Sequence, residues 1–206
     1  MYDPPWPKKY YKDKLLEILL CHVKSGDQVY DVGAARGYYT LSLAMSGCSV
    51  YSFEPNPITY SFLLNNIHLN KLSNVHCFNF GLSDSVDELT FYLTYPALGS
   101  SFSRDVLESN RAKVIGTDSV EVKKIDTLVS EGVIPPPDHI KIDVEGFGLN
   151  VLKGAEKTIS KHRPMIYFEP HYGKEGLERK KRFYDFFESV DYEVKEYGYP
   201  WVCSPN

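Results

Sequence analysis

Five side chains in this sequence could carry out chemistry, and each follows a short apolar run. Asp31, Glu54, Asp143 and Glu145 are carboxylates, and His171 completes the set. Carboxylates accept hydrogen bonds from hydroxyl and ammonium groups, and a histidine takes up a proton near neutral pH. Short apolar runs are typical of buried strands. Because parallel strands end at one edge of a sheet, we expect these five side chains to share a crevice there.

The first of these carboxylates stands beside a glycine turn. Residues 29–32 predict a strand, Gly33 and Gly37 bracket the turn, and Tyr38–Met45 predicts the next helix. A strand, a glycine turn and a helix N-terminus together present backbone N–H groups to a small polar ligand. Asp31 would repel the phosphate of a dinucleotide, so the expected ligand is positively charged. S-adenosylmethionine, which carries an ammonium and a sulfonium and lacks phosphate, fits this site.

The next two predicted strands offer groups for the rest of such a nucleoside. Glu54 ends the second strand, about twenty residues after the glycine turn, where nucleotide folds place the acid that accepts the ribose hydroxyls. Asn56 is typical of a helix N-cap. After the third strand, Gly81 permits close approach of a flat base, and Asp84 either reaches the exocyclic amine of that base or caps a turn.

Asp143, Glu145 and His171 are the candidates for proton transfer. Residues 139–146 predict a fourth buried strand, in which the two carboxylates alternate and so face one side. His171 follows the fifth strand, residues 165–169, and its intrinsic pKa makes it our first choice as proton acceptor. Asp143 and Glu145 could instead hold a divalent cation that lowers the pKa of a hydroxyl. We do not favour that hypothesis, so no metal site is predicted.

Two segments lie outside this strand-and-helix pattern. Residues 88–93 and 119–124 predict a hairpin, and the irregular stretch at residues 95–113 is a candidate lid or a disordered loop. Residues 1–24 predict a helical segment that either covers the pocket or packs on the sheet. Aromatic side chains toward the two ends could stack on a sugar; they are Tyr10, Tyr11, Tyr197, Tyr199 and Trp201.

Composition limits the class of protein. The 206 residues predict one domain with an ordinary core, since 43% are hydrophobic and 24% are charged. The net charge of −4 argues against nucleic acid as a partner, and no apolar run is long enough to span a membrane. The four cysteines lack metal-ligand spacing, which predicts buried thiols and a cytoplasmic protein. The basic run at residues 179–182 predicts a solvated helix face.

Several of these segments together resemble a known family. The most specific are Ile-Lys-Ile-Asp-Val-Glu-Gly at residues 140–146 and Val-Leu-Lys-Gly-Ala at residues 151–155. With the glycine turn before them, they resemble the class I S-adenosylmethionine-dependent methyltransferases, and among those the FkbM family. The resemblance implies an α/β fold: a Rossmann-like, doubly wound, mostly parallel seven-stranded sheet with helices on both faces. It also implies O-methylation of a hydroxyl on a sugar, a polyketide or another small molecule or glycan.

Within this hypothesis, the cofactor-binding residues can be assigned by position. We expect Asp31 near the ammonium, Glu54 at the ribose, Asn56 on the adenine side and residues 81–83 along the base. Asp143 would lie beside the reactive methyl group. The full expected set is Asp31, Gly33, Ala34, Gly37, Tyr38, Glu54, Pro55, Asn56, Gly81, Leu82, Ser83 and Asp143.

Two other functions are compatible with a glycine turn. A nicotinamide dehydrogenase would use G-x-G-x-x-G, whereas this turn is Gly-Ala-Ala-Arg-Gly with an acid upstream, although Arg36 could meet a phosphate. A protein of this fold could also bind the cofactor as a non-catalytic module. We expect one methyltransferase domain over residues 25–206, with no separate substrate domain. The methyl acceptor and the oligomeric state stay open.

Overall fold

The structure is a computed structural model that describes residues 13–95 and 99–206. The helices are α1 (Lys14–His22), α2 (Tyr38–Met45), α3 (Pro57–Leu69), α4 (Arg104–Ser109), α5 (Ile125–Ser130), α6 (Gly148–Lys153), α7 (Glu156–His162) and α8 (Leu177–Ser189). The strands are β1 (Gln28–Val32), β2 (Ser49–Phe53), β3 (Val75–Phe78), β4 (Gly81–Leu82), β5 (Asp87–Thr94), β6 (Val114–Lys123), β7 (His139–Ile142), β8 (Met165–Phe168), β9 (Tyr192–Glu196) and β10 (Trp201–Pro205). Within these two ranges, no helix has the length and apolar character needed to cross a bilayer.

Seven of the strands form one sheet, in the order β3-β2-β1-β7-β8-β10-β9. β1 pairs in parallel with both β2 and β7, and β10 runs antiparallel between β8 and β9. The mostly parallel seven-stranded sheet predicted from the sequence is therefore confirmed. The chain moves outward from β1 to β3 and then crosses back to β7, so the switch point of the sheet lies between β1 and β7. In open α/β sheets, ligands bind outside the carboxyl ends of the strands at such a point.

Helices cover both faces of this sheet, because neighbouring residues of a strand point in opposite directions. On β8, Ile166 and Phe168 belong to the larger core with α6 and α8, whereas Tyr167 belongs to a smaller core with α1 and α2. Every residue of β7 is buried, which is typical of a parallel strand covered on both sides. An apolar stripe along α8 and its C-cap is also buried in the larger core; it consists of Phe183, Phe186, Phe187 and Val190.

Helix α1 is fixed to the sheet at its first turn. The Asp13 side chain accepts a hydrogen bond from the backbone N–H of Leu16 at 3.0 Å and another from the Tyr39 hydroxyl at 2.9 Å. Leu15 and Leu19 are buried in the smaller core. Residues 1–12, including Tyr10 and Tyr11, lie outside the described residues, so the pocket-cover role of segment 1–24 stays a prediction.

The predicted hairpin exists, but its surroundings differ from expectation. β5 and β6 pair antiparallel, β6 begins at Val114 instead of residue 119, and β4 joins them in a small second sheet. The stretch predicted as irregular contains α4, which Ser103 caps through a bond from the Val106 N–H. Val106 and Leu107 are buried. Helix α4 is six residues long, which is too short for a clear helical period in the sequence.

Helices α6 and α7 are separated at Gly154, where a Cβ atom would lie 1.9 Å from the carbonyl oxygen of Ser83. The backbone that follows β4 therefore lies directly against this helix pair. Leu152, Ala155 and Ile159 are buried in the larger core, and Leu149 is partly buried against it.

Three expectations about exposure are wrong. Cys21 is exposed, whereas we predicted a buried thiol. Arg179, predicted on a solvated face, is buried and bonds to Asp105 and Glu175, because α8 turns this position toward α4. Trp201 is fully buried against α8 and is not available to stack on a ligand.

Candidate active site

A cavity of about 100 Å³ lies at the switch point. Its walls come from the turn after β1, the end of β2, the segment after β7 and the insertion between β5 and β6. Of the predicted cofactor-binding residues, Gly33, Glu54, Pro55 and Asp143 line it. The other predicted residues are not in its lining; they are Asp31, Ala34, Gly37, Tyr38, Asn56, Gly81, Leu82 and Ser83.

Three N–H groups of the glycine turn bond within the protein, whereas we predicted that this turn presents its N–H groups to a ligand. The N–H groups of Gly33 and Ala34 both donate to the carbonyl of Phe53, at 3.0 and 3.1 Å. That of Ala35 donates to the Glu54 carboxylate at 2.8 Å. A Cβ atom on Gly33, whose φ is +79°, would lie 2.0 Å from the backbone oxygen of Asp143. The turn therefore brings the backbone of Gly33 directly against the backbone of Asp143, with no side chain between them.

Asp31 faces a cation that belongs to the protein. Lys141 stands opposite it on β7, and its Nζ lies 3.0 Å from Asp31 Oδ1 and 3.0 Å from the carbonyl oxygen of Gly33. Thr40 donates to Asp31 Oδ2 at 2.6 Å. Burial by itself would lower the pKa of Lys141, but Asp31 and Asp143 outweigh burial and raise it. Asp31 has no exposed surface, so its direct contact with a ligand ammonium stays a prediction.

Glu54 reaches the cavity from the end of β2. Its two oxygens accept the N–H groups of Ala35 and Asn56, at 2.8 and 2.9 Å. Burial raises its pKa to about 7, although these two hydrogen bonds oppose the rise. Each carboxylate oxygen has a second lone pair, so the group can still accept from a diol. Asn56 acts as the predicted N-cap of α3, accepting from the Ile58 N–H at 3.0 Å.

The face of Gly81 meets an aromatic ring of the protein. A Cβ atom on Gly81 would lie 2.7 Å from the Phe102 ring, which also packs against Phe147 with centroids 5.0 Å apart. Phe102 therefore lies where we expected the base of the ligand. Asp84 Oδ1 accepts from the side-chain amide of Asn150 at 3.0 Å, and its predicted role at a base or in a turn stays a prediction.

His171 is held between the two carboxylates predicted to act with it. Its Nε2 lies 3.1 Å from Asp143 Oδ1, and its Nδ1 lies 3.1 Å from Glu145 Oε2. The hydroxyl of Tyr199 lies 3.0 Å from the same Nδ1. Strand β7 ends at Ile142, so the predicted strand alternation of the two carboxylates is wrong. The loop after β7 instead brings them to opposite edges of the imidazole.

Charge is concentrated around this histidine. Burial opposes the charged imidazole, but hydrogen bonds to Asp143 and Glu145 outweigh it and raise the pKa of His171 to about 10. Burial also disfavours charged Asp143, yet Lys141 and His171 lower its pKa. Burial and the nearby Asp143 raise the pKa of Glu169 to about 7. His171 thus holds a proton at neutral pH in this arrangement.

The same cluster contains donor atoms that could reach one cation. Ligand atoms of Asp143, Glu169 and His171 lie within 4.8 Å of one another, and Glu145 is not in this group. Lys141 Nζ, 3.9 Å from Asp143 Oδ2, already supplies positive charge there. A second cation beside that ammonium would be repelled. The expectation of a site without a metal stays a prediction.

The family model described as the Methyltransferase FkbM domain matches residues 31–200. The chain belongs to the FkbM methyltransferase family. Its relatives include the hexuronic acid methyltransferase AglP of Haloferax volcanii, 31% identical over 148 residues, which are 70% of this chain and 56% of AglP. This FkbM chain thus spans just over half the length of that relative. A tRNA (guanine(37)-N(1))-methyltransferase of Ciona intestinalis is 42% identical over 57 residues, 28% of this chain and 12% of that protein. Our expectation that nucleic acid is not a partner gains no support from that match.

Solved structures share the fold of this FkbM domain. The FkbM methyltransferase of Methylobacillus flagellatus has a TM-score of 0.59 at 19% identity, covering 88% of this chain and 44% of that one. A Streptococcus mutans protein solved in complex with SAH has a TM-score of 0.53 at 10% identity, covering 91% of this chain and 92% of that one. At these identities the likeness establishes the class I methyltransferase fold alone.

S-adenosylmethionine is the cofactor of the FkbM methyltransferase fold, and the cavity of this chain suits it. Gly33 and Pro55 give the wall two residues without polar side chains, and Glu54 supplies an acceptor for a diol. The carboxylates of Asp143 and Glu145 line the opposite wall, where they favour a ligand with positive charge.

Two residues of this FkbM site escaped sequence reasoning. Lys141 interrupts an otherwise buried strand, and a buried lysine needs a charged partner. That rule could have paired it with Asp31, since both residues fall inside strands. Glu169 was assigned to the end of β8, but the strand stops at Phe168 and Glu169 follows it toward His171. No sequence signal separates a terminal strand residue from the first residue of a site loop.

Proposed function

We propose that this protein transfers a methyl group from S-adenosylmethionine to a hydroxyl of a small molecule or glycan, most specifically a sugar or a polyketide-type alcohol. The observation that carries the proposal is the imidazole of His171, held between Asp143 and Glu145 at the edge of the cofactor cavity. A relative named for a hexuronic acid supports a sugar acceptor.

Glu54, Gly33 and Asp143 hold the cofactor in this proposal. Glu54 accepts hydrogen bonds from the ribose hydroxyls with the lone pairs that Ala35 and Asn56 leave unused. Gly33 lines the cavity at the β1–β7 junction, where the methionine portion lies in this proposal. When bound, the cofactor supplies an electrophilic methyl group on a sulfonium. Most of the rate then comes from aligning the acceptor oxygen with that methyl group.

His171 and its two carboxylates handle the proton of the acceptor hydroxyl. Asp143 and Glu145 fix the ring plane through Nε2 and Nδ1. The sulfonium of the bound cofactor would add positive charge beside Asp143. That charge would lower the pKa of His171, because like charges disfavour the protonated ring. The imidazole can then release its proton through the cleft at Tyr199 and become the base. This coupling reconciles a resting pKa of about 10 with a role as proton acceptor near neutral pH.

Cofactor binding and methyl transfer test the proposal separately. Calorimetry with S-adenosylhomocysteine measures the first, and Glu54→Ala should weaken it at least tenfold, or about 1.4 kcal/mol. Glu178→Ala, at an exposed position on α8, is the matched control and should bind normally. An unchanged affinity for Glu54→Ala would remove the ribose role.

Methyl transfer to a panel of hydroxyl compounds then tests the reaction. His171→Ala should keep S-adenosylhomocysteine affinity within a fewfold and lose at least a hundredfold in turnover, the usual range for a general base. Full turnover by a folded His171→Ala variant would exclude this histidine. Stoichiometric cofactor binding with no transfer to any hydroxyl would favour a non-catalytic binding module.

A further inference from the structure

A second cleft lies on the other side of Glu145 from the cofactor cavity. It has a volume of about 400 Å³, and its walls come from α4, the loop after β8 and the turn between β9 and β10. Glu145 lines both spaces, and His171 lies in the second. A molecule in this cleft would therefore touch the proposed base at the border of the cofactor cavity. That position suits the methyl acceptor of the proposed function.

The cleft offers aromatic surface and hydrogen-bonding groups in the proportions that suit a small ring with hydroxyls. Tyr172 and Tyr199 both line it, and Tyr199 is half exposed. Asn110 reaches Glu145 Oε2 from the end of α4 at 3.5 Å. Among the described residues, Glu145 Oε1 makes no hydrogen bond or ion pair, so it can accept from a ligand.

Carboxylates outnumber cations around the cleft. Glu145 lines it, Asp143 and Glu169 lie behind His171, and His171 is the one cationic group among the described residues of the wall, with both ring nitrogens already paired to Asp143 and Glu145. Two further cations near the cleft are also engaged. Lys141 is buried against Asp31, and the guanidinium of Arg179 bonds to Asp105 at 3.1 Å and to Glu175 at 3.0 Å.

From this arrangement we propose that the cleft binds a methyl acceptor with a protonated amine near its hydroxyls, such as an amino sugar, and rejects the matching carboxylate. Glu145 is the specificity-determining residue: its open Oε1 receives the ammonium. A carboxylate in the same place would lie against Glu145 Oε1 and would find no free N–H on His171, whose two ring nitrogens are already paired, so its contact would be repulsive. The inference rests on the proposed function and goes beyond it in naming the charge of the acceptor.

Three matched pyranosides test the charge preference directly. Methyl glucoside, its 6-amino-6-deoxy analogue and methyl glucuronide differ only at one carbon, and galacto and manno series extend the panel. Calorimetry on the full chain with S-adenosylhomocysteine should rank amine above neutral above acid. We expect at least a tenfold separation between amine and acid, equal to about 1.4 kcal/mol. Equal or tighter binding of the acid would overturn the proposal, and so would absence of binding in every series.

Two variants assign the preference to Glu145. Glu145→Gln should bring the amine-to-acid ratio close to one, whereas Asn110→Asp adds a carboxylate at the exposed end of α4 and should increase the ratio. Glu178→Gln, outside the cleft, should leave the ratio unchanged. A ratio that Glu145→Gln does not alter would remove Glu145 from recognition. Loss of S-adenosylhomocysteine binding by the parent protein would instead refute the proposed function, so the two failures are distinguishable.

Discussion

Lys141 is the residue on which the interior charges of the site depend. Its ammonium compensates Asp31, which has no exposed surface, and lies 3.9 Å from Asp143. Lys141→Met leaves Asp31 buried without its cation, which should destabilise the fold by about 3–5 kcal/mol. Urea unfolding measures the change.

A double variant separates lost pairing from lost packing at this position. Lys141→Met combined with Asp31→Asn should recover most of the lost stability, since no unpaired charge is then left. Lys195→Met is the matched control, because its partner Glu193 is 3.5 Å away and both side chains are largely exposed. We expect that control to change stability by less than about 1 kcal/mol. Equal losses in both single variants would contradict the buried-pair account.

His171 makes stability depend on pH. Its folded pKa of about 10 lies above the ordinary value of 6.5, so protonation favours the folded state. The stabilisation is complete below pH of about 6.5 and is lost as pH rises toward about 10. The difference in unfolding free energy between the parent and His171→Gln should therefore shrink over that range. His68→Gln, at the exposed end of α3, is the control; a difference that grows with pH would refute the assignment.

At the scale of single residues, the sequence indicated which side chains belong to the candidate site better than it indicated their hydrogen-bond and ion-pair partners. Glu54, Asp143, Glu145 and His171 meet at the carboxyl edge, as the strand-end rule predicts. The partner of Asp31 was not predictable from its own segment, because Lys141 is 110 positions away and reaches it only through strand pairing.

The turn after β1 leaves no space for a side chain at Gly33. Gly33→Ala would place a methyl group 2.0 Å from the backbone oxygen of Asp143, and backbone cannot rotate away as a side chain can. We expect a loss of stability well beyond the cost of positive φ alone, together with at least tenfold weaker binding of S-adenosylhomocysteine.

Gly132→Ala provides the matched comparison for that prediction. Its φ is +71° and nothing lies within 4 Å of the position that the new methyl group would take, so it carries only the backbone cost of about 1–2 kcal/mol. Denaturant unfolding and calorimetry on both variants measure the effects. Equal stability losses at the two positions would mean that a backbone shift relieves the close contact between the new methyl group at position 33 and Asp143.

The sequence predicted helices that have a buried face or a clear cap. It did not predict the structure of the insertion between β5 and β6. Helix α2 has the predicted bounds, and Asn56 and Pro57 begin α3 as their types suggest. The helix α4 and the early start of β6 are fixed by contacts across the insertion, including the Phe91–Phe102 ring pair with centroids 4.7 Å apart. This contact joins Phe91 on a predicted strand to Phe102, whose local sequence favours no regular structure.

At the scale of the whole molecule, α1 should unfold together with the sheet. Asp13→Ala removes the N-cap of α1 and leaves the buried Tyr39 hydroxyl without its acceptor. A lost cap costs about 1 kcal/mol and an unpaired buried polar group about 1–3 kcal/mol. Hydrogen exchange should show α1 and β1 losing protection in parallel. Fast exchange confined to α1 in the parent protein would show that the helix is a separate, weaker unit.

The guanidinium of Arg179 connects the insertion to the segment that carries His171. Its three nitrogens contact Asp105 on the insertion, Glu175 before α8 and the backbone oxygen of His171, at 3.1, 3.0 and 3.4 Å. One planar group therefore joins α4 to the backbone that carries the imidazole, so a displacement of α4 would also strain the backbone of His171.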